Sequence, residues 1–204
     1  MLCAVLGACA LANAAAGVAA WHRYQLLGAL PGGQAPDGGE ALLRAEMWFG
    51  NLTGWRNAAV VVSVVLFIAW LMSMRRIADE VWPEGQRRNP AWLILGWLIP
   101  VVNLFVPKMF VNDLWAGGLQ ARSRKRGHPL LTLWWIAVLV AFGTSGATLD
   151  RARGTAHVAE VRDRLWQVVQ SDGFFVIAAA LSIAVVWRLS TMLEGAERPA
   201  LSQA

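Results

Sequence analysis

The sequence predicts an all-α protein: a polytopic membrane helical bundle of four full transmembrane helices plus one short, proline-broken helix that either re-enters or spans. Three observations predict it. The 204 residues are 57% hydrophobic and only 15% charged, where a soluble domain carries about a quarter charged residues. The charges are confined to connections between long uncharged runs, the layout of a multi-pass chain. The apolar runs fall at about 1-21, 57-74, 91-106, 129-149 and 173-193, and all but the third approach the roughly 20 residues a helix needs to cross a bilayer. This pattern excludes a soluble enzyme, a disordered tail and a coiled coil, and treats 1-204 as a single integral membrane domain.

The first run carries no charge before His22 and Arg23. It lacks the positive n-region of a secretory signal and reads as a retained helix. Leu6-Gly7-Ala8-Cys9 only faintly resembles a lipoprotein cleavage site, because the stretch before it is short and uncharged. Ala4, Ala8, Ala12, Ala16 and Ala20 recur every four residues, a small-residue stripe on which a second copy or another membrane helix can pack closely. A turn-rich connection around Pro31-Gly32-Gly33 leads to an amphipathic stretch at about 40-49, with Trp48, Phe49 and Trp55 suited to an interface. The second run ends at Arg75 and Arg76; Arg75–Asp79 and Arg76–Glu80 are i,i+4 neighbours that read as a solvated helix end. Asn89-Pro90 is a helix start, with Asn as N-cap and Pro at the first helical position. The fourth run opens on Pro129, and a second amphipathic stretch at about 157-170 precedes the fifth.

Eighteen Lys and Arg against thirteen Asp and Glu give a net charge of +5. No nucleic-acid motif accompanies the excess, so the cations are assigned to the bilayer and its anionic lipid headgroups rather than to nucleic acid. If all five runs cross, the cations divide ten inside to eight outside. If 91-106 enters and leaves on one side, they divide eleven to seven, with Arg75–Arg76 and Arg122–Arg126 on the same face. The positive-inside rule favours the second arrangement, with both termini cytoplasmic and the protein in the plasma membrane.

At helical spacing, Trp92, Gly96, Pro100, Asn103 and Pro107 share one face of the third run. Each proline removes an N–H and frees the carbonyl four residues earlier, which lipid cannot satisfy. That face is either a kink whose loose groups bond to neighbouring helices or a small site for an ion, water or a headgroup. The candidate functional face comprises Gly96, Pro100, Asn103, Pro107 and the carboxylate Asp113 just beyond it. Asp113 suits either a proton or cation ligand or, more simply, a pairing with Lys108 or the 122–126 cluster.

The stretch from Phe67 to Trp115 resembles a family of actinobacterial membrane proteins catalogued as a domain of unknown function. The pattern is an aromatic and Arg-rich span end, then Gly-Trp-x-x-Pro-x-x-Asn-Leu, Pro-Lys and Asp-x-Trp. It is carried here by Trp70, Arg75, Gly96, Trp97, Pro100, Asn103, Leu104, Pro107, Lys108, Asp113 and Trp115. Val106 stands where members often carry a basic residue. The resemblance implies a multi-helix plasma-membrane domain and no particular activity.

Catalytic chemistry finds little support in the residues. His22, His128 and His157 lie far apart without Cys, Asp or Glu at ligand spacing, so neither metal nor cofactor is expected. Ser63, Thr144, Ser145 and Ser182 are isolated hydroxyls with no base near in sequence. Cys3 and Cys9 share one helix on neighbouring faces and do not form a framework. The twelve Trp are assigned mainly to an interfacial belt. The reading is therefore a non-enzymatic scaffold or interaction module, with a small transporter using the Gly96–Pro107 face as the alternative and an intramembrane enzyme last.

Overall fold

A computed structural model describes residues 1–29, 39–82, 84, 92, 102, 104–119, 127–150 and 158–201, of which 146–150 and 196–201 by their backbone alone. The described residues contain five α-helices and no strand: α1 (Leu2–Gly28), α2 (Glu40–Val81), α3 (Val106–Gly117), α4 (Pro129–Asp150) and α5 (Val158–Leu201). Three of them, α1, α2 and the Val158–Gly195 part of α5, are long and apolar enough to cross a membrane. The helix α4 has 22 residues, and among the described residues its apolar stretch is Pro129–Ser145.

The amphipathic stretches and the spans that follow them are not separate elements. The 42 residues of α2 and the 44 of α5 each form one continuous helix, some 63–66 Å long at ~1.5 Å per residue. α2 contains no proline and α5 only Pro199, in its last turn, and each starts well. Glu40 and Glu160 place a carboxylate in the first turn, where the helix dipole favours it. Gly39 takes a positive φ of 87° just before α2, a conformation open to glycine at no steric cost, and its carbonyl accepts from the Leu43 N–H at 2.9 Å.

The chain divides into two compact units. One is built from Met1–Ala4, Val62–Ile136 and Leu181–Ala204; the other from Val5–Val61 and Ala137–Ala180. We refer to them by a central residue, Trp134 and Asp172.

The Trp134 unit is held by aromatic side chains whose polar ends are satisfied. Trp134 is fully buried, its ring centroid 5.7 Å from that of Phe67, and its Nε1 donates to Ser182 Oγ at 2.9 Å. Trp135 Nε1 donates to the Leu104 carbonyl at 2.9 Å, and Trp70 Nε1 to Ser190 Oγ at 3.1 Å. A buried indole requires such an acceptor. Trp134, Trp135 and Trp115 therefore belong to the core rather than to the interfacial belt assigned from sequence, while Trp70 is half-buried and Trp187 exposed. The helix α3 is buried on nearly every side, through Val106, Pro107, Phe110, Val111, Leu114 and Trp115.

In the Asp172 unit α1 folds back on α2. Arg23 pairs with Glu46 at 3.2 Å and lies 5.7 Å from the Phe49 ring. The apolar cluster there joins Ala20 and Leu27 of α1 to Leu165 of α5, with Tyr24, Leu42 and Phe49 packed around it. Arg162 of α5 lies 4.5 Å from the Tyr24 ring. The buried face of α1 is Leu6, Cys9, Asn13, Ala16, Ala20 and Leu27, a repeat of three and four residues that is the seam of knobs-into-holes packing. Only Ala16 and Ala20 of the alanine stripe lie on it; Ala4 and Ala8 are exposed and Ala12 is half-buried. The reason is geometric. Four residues advance a helix by about 40° more than one turn, so a strict four-residue stripe drifts off any straight contact line.

Candidate buried ion-pair site

Arg56 and Asp172 each stand one residue before a run that sequence alone marks as a span. The fold brings them together within the Asp172 unit. Arg56 Nη1 donates to Asp172 Oδ1 at 2.7 Å, with the Asp172 side chain 1% exposed and that of Arg56 17%. The other edge of the guanidinium is fixed by Asn57, whose Oδ1 accepts from Nε at 3.2 Å and from Nη2 at 3.1 Å.

Gly17 of α1 completes the enclosure. A Cβ at that position would lie 3.3 Å from Asp172 Cβ and 3.7 Å from Oδ2, so the absence of a side chain lets α1 close over the carboxylate. Gly17 falls inside the charge-free run of α1. The ion pair therefore lies alongside the apolar part of a candidate span, not beyond its end. One turn before Gly17 stands Asn13, wholly buried. Its Nδ2 donates to the Cys9 carbonyl at 2.8 Å and approaches Cys9 Sγ at 3.5 Å. Thr144 of α4 donates to the Val140 carbonyl at 2.8 Å and meets Ser171 Oγ, next to Asp172, at 3.4 Å.

Two buried oxygens, Asp172 Oδ2 and Asn13 Oδ1, have no hydrogen-bond partner among the described residues. Both are acceptors, so the group that would satisfy them is a donor. Arg56 already neutralises Asp172, and an added cation would leave an uncompensated charge away from water. A neutral donor such as water suits the electrostatics.

The Trp134 unit holds a second buried guanidinium. Arg75 is 6% exposed; its Nε donates to Asp79 Oδ1 at 2.9 Å and its Cζ lies 5.8 Å from the Phe110 ring. This corrects the reading of Arg75 and Arg76 as a solvated end: Arg76 and Glu80 are exposed, but Arg75 is buried one residue away. Of the candidate face expected from sequence, Gly96, Pro100 and Asn103 lie outside the described residues. Pro107 is buried at the first turn of α3. There the missing N–H would have had no intrahelical partner, so Pro107 begins a helix instead of breaking one. Asp113 is 1% exposed and engaged in a polar or electrostatic interaction. Lys108 Nζ donates to Thr132 Oγ1 at 3.4 Å.

The residues that build the Asp172 site escape a reading based on runs of like character. The usable signal was opposite charge at the same place in two spans: Arg56 before Asn57 and Asp172 before Gly173. Asn13 and Gly17 are the polar and the small interruption of the α1 run, at i and i+4.

Helices of this length and apolarity, with an ion pair enclosed against one of them, make the described residues all-helical and compatible with a membrane. More particularly, the chain belongs to the family described as a domain of unknown function, DUF4328, which matches residues 36–191. The match includes Arg56, Arg75, Asp113 and Asp172 and begins after α1, so Asn13 and Gly17 lie outside it. No curated protein and no solved structure matches the chain.

Proposed function

We propose that the protein is a four-span plasma-membrane protein, both termini cytoplasmic, acting as a non-enzymatic scaffold or interaction module. The observation that carries this reading is the internal neutrality of the Arg56–Asp172 pair. A buried charge left without its partner is strongly destabilising, which favours the one packing of helices that brings Arg56 and Asp172 together. An ionisable side chain that serves an ion pathway is commonly open to its cargo, whereas Asp172 is already paired with Arg56. A partner helix would use the alanine stripe of α1, of which Ala8 is exposed and Ala12 half-buried.

The second reading, a small transporter, is favoured by the two unpartnered oxygens of Asp172 and Asn13. Flux measurements on protein-loaded liposomes separate the two. The scaffold reading expects ion and proton leak no greater than in empty vesicles. A flux that Asp172→Asn abolishes would replace it with the transporter reading.

A further inference from the structure

Outside the ion-pair site, α1 and the first half of α2 enclose an open groove of about 850 Å³. Leu11 and Val18 of α1 and Trp48 and Leu52 of α2 line it, with alanines from both helices between them, and its polar members are His22 and Arg44. The apolar and polar parts are segregated. Leu11 and Leu52 lie far from the α1–α2 connection in sequence, whereas His22 and Arg44 lie near the end of α1 and the start of α2. From Leu11 to His22 the α1 wall is ~17 Å long at ~1.5 Å per residue. One leaflet of a ~30 Å hydrocarbon core is ~15 Å deep.

We propose that this groove is a binding site for one anionic membrane phospholipid, an acyl chain lying along α1 from Val18 towards Leu11 and the phosphate held between His22 and Arg44. The inference rests on the membrane placement above and deepens it by naming a lipid class and a site. Arg44 is available to a phosphate: its contact with Glu40 is 3.6 Å, between side chains 65% and 71% exposed, and such surface pairs contribute little. A bidentate guanidinium–phosphate contact is the stronger one. The neighbouring cation Arg23 is held by Glu46 and leaves the groove end to these two groups.

The test is native mass spectrometry of the full chain, released from bilayers of equal phosphatidylglycerol and phosphatidylcholine. The wild type should retain one phosphatidylglycerol at least tenfold over phosphatidylcholine, and excess inorganic phosphate should not displace it. Arg44→Glu should abolish the preference. Ala14→Trp, which places a large ring in the groove from an exposed position, should abolish retention of either lipid at unchanged helicity. Should Ala14→Trp fail to fold, Arg44→Glu alone decides. Equal retention of the two lipids by the wild type overturns the proposal, as does retention unaffected by both variants or a dimer in place of bound lipid. Failure here with flux-free liposomes leaves the scaffold reading intact; flux would remove that reading without touching the lipid site.

Discussion

At the scale of the residue, the molecule turns on how it accommodates Asp172. A carboxylate in an apolar bundle is tolerated because Arg56 supplies a charge at 2.7 Å and Gly17 supplies the room. Removing one member of such a pair costs about 3–5 kcal/mol, since the other charge is left buried alone, whereas replacing both with apolar groups is close to neutral. Asp172→Leu should therefore lower unfolding free energy in detergent by about that amount. Arg56→Met with Asp172→Leu should recover most of the loss. Thermal and denaturant unfolding of the two single variants and the double measure the coupling directly, and strictly additive losses would show that the pair contributes nothing. Gly17→Ala tests the same site from the α1 side. Its new methyl would stand 3.3 Å from Asp172 Cβ, a crowding expected to cost about 1–3 kcal/mol in a packed interior.

At the scale of the element, the sequence shows where the helices are more readily than where they end or which way they face. Uncharged runs such as Leu2–Trp21 and Asn57–Met74 announce α1 and α2 without ambiguity. The apolar run of α2 stops at Arg56 and that of α5 at Asp172, because an unpaired charge belongs in water. The partner that overrides this rule lies 116 residues away, out of reach of any local pattern. The face of α1 was hidden for a related reason. In a run rich in alanine every register offers small residues, and what selects the register is Asn13, Leu6 and Leu27, which share the seven-residue repeat of the buried seam. Ala20→Leu, at a wholly buried position, should therefore destabilise the fold by about 1–3 kcal/mol through overpacking, and Ala8→Leu, at an exposed one, should have little effect in the same unfolding assay. Equal losses at the two positions would return the contact line to the four-residue stripe. Because α1 covers Asp172 through Gly17, the intact mass of the membrane-extracted protein should include residues 1–28.

At the scale of the whole molecule, the order of long helices sets the topology to be tested. The segments α1–α2 and α4–α5 each join a helix of 27 or 22 residues to one of 42 or 44. If α1, α2, α4 and α5 each cross once, the even count returns both termini to one side, and the eleven-to-seven distribution of cations makes that side the cytoplasm. The run 91–106 must then begin and end on the cytoplasmic face. Three positions decide it in a background lacking Cys3 and Cys9, labelled with a membrane-impermeant thiol reagent. Glu40 and Glu84 are exposed, and Gly127 has open space where a side chain would stand. Glu40→Cys should react in intact cells. Glu84→Cys and Gly127→Cys should react only after the cells are opened. Reaction of Glu84→Cys and Gly127→Cys from opposite sides would make 91–106 a fifth span. Reaction of Glu40→Cys and Glu84→Cys from the same side would mean that α2 does not cross. The orientation of every later helix would then have to be rebuilt from that point.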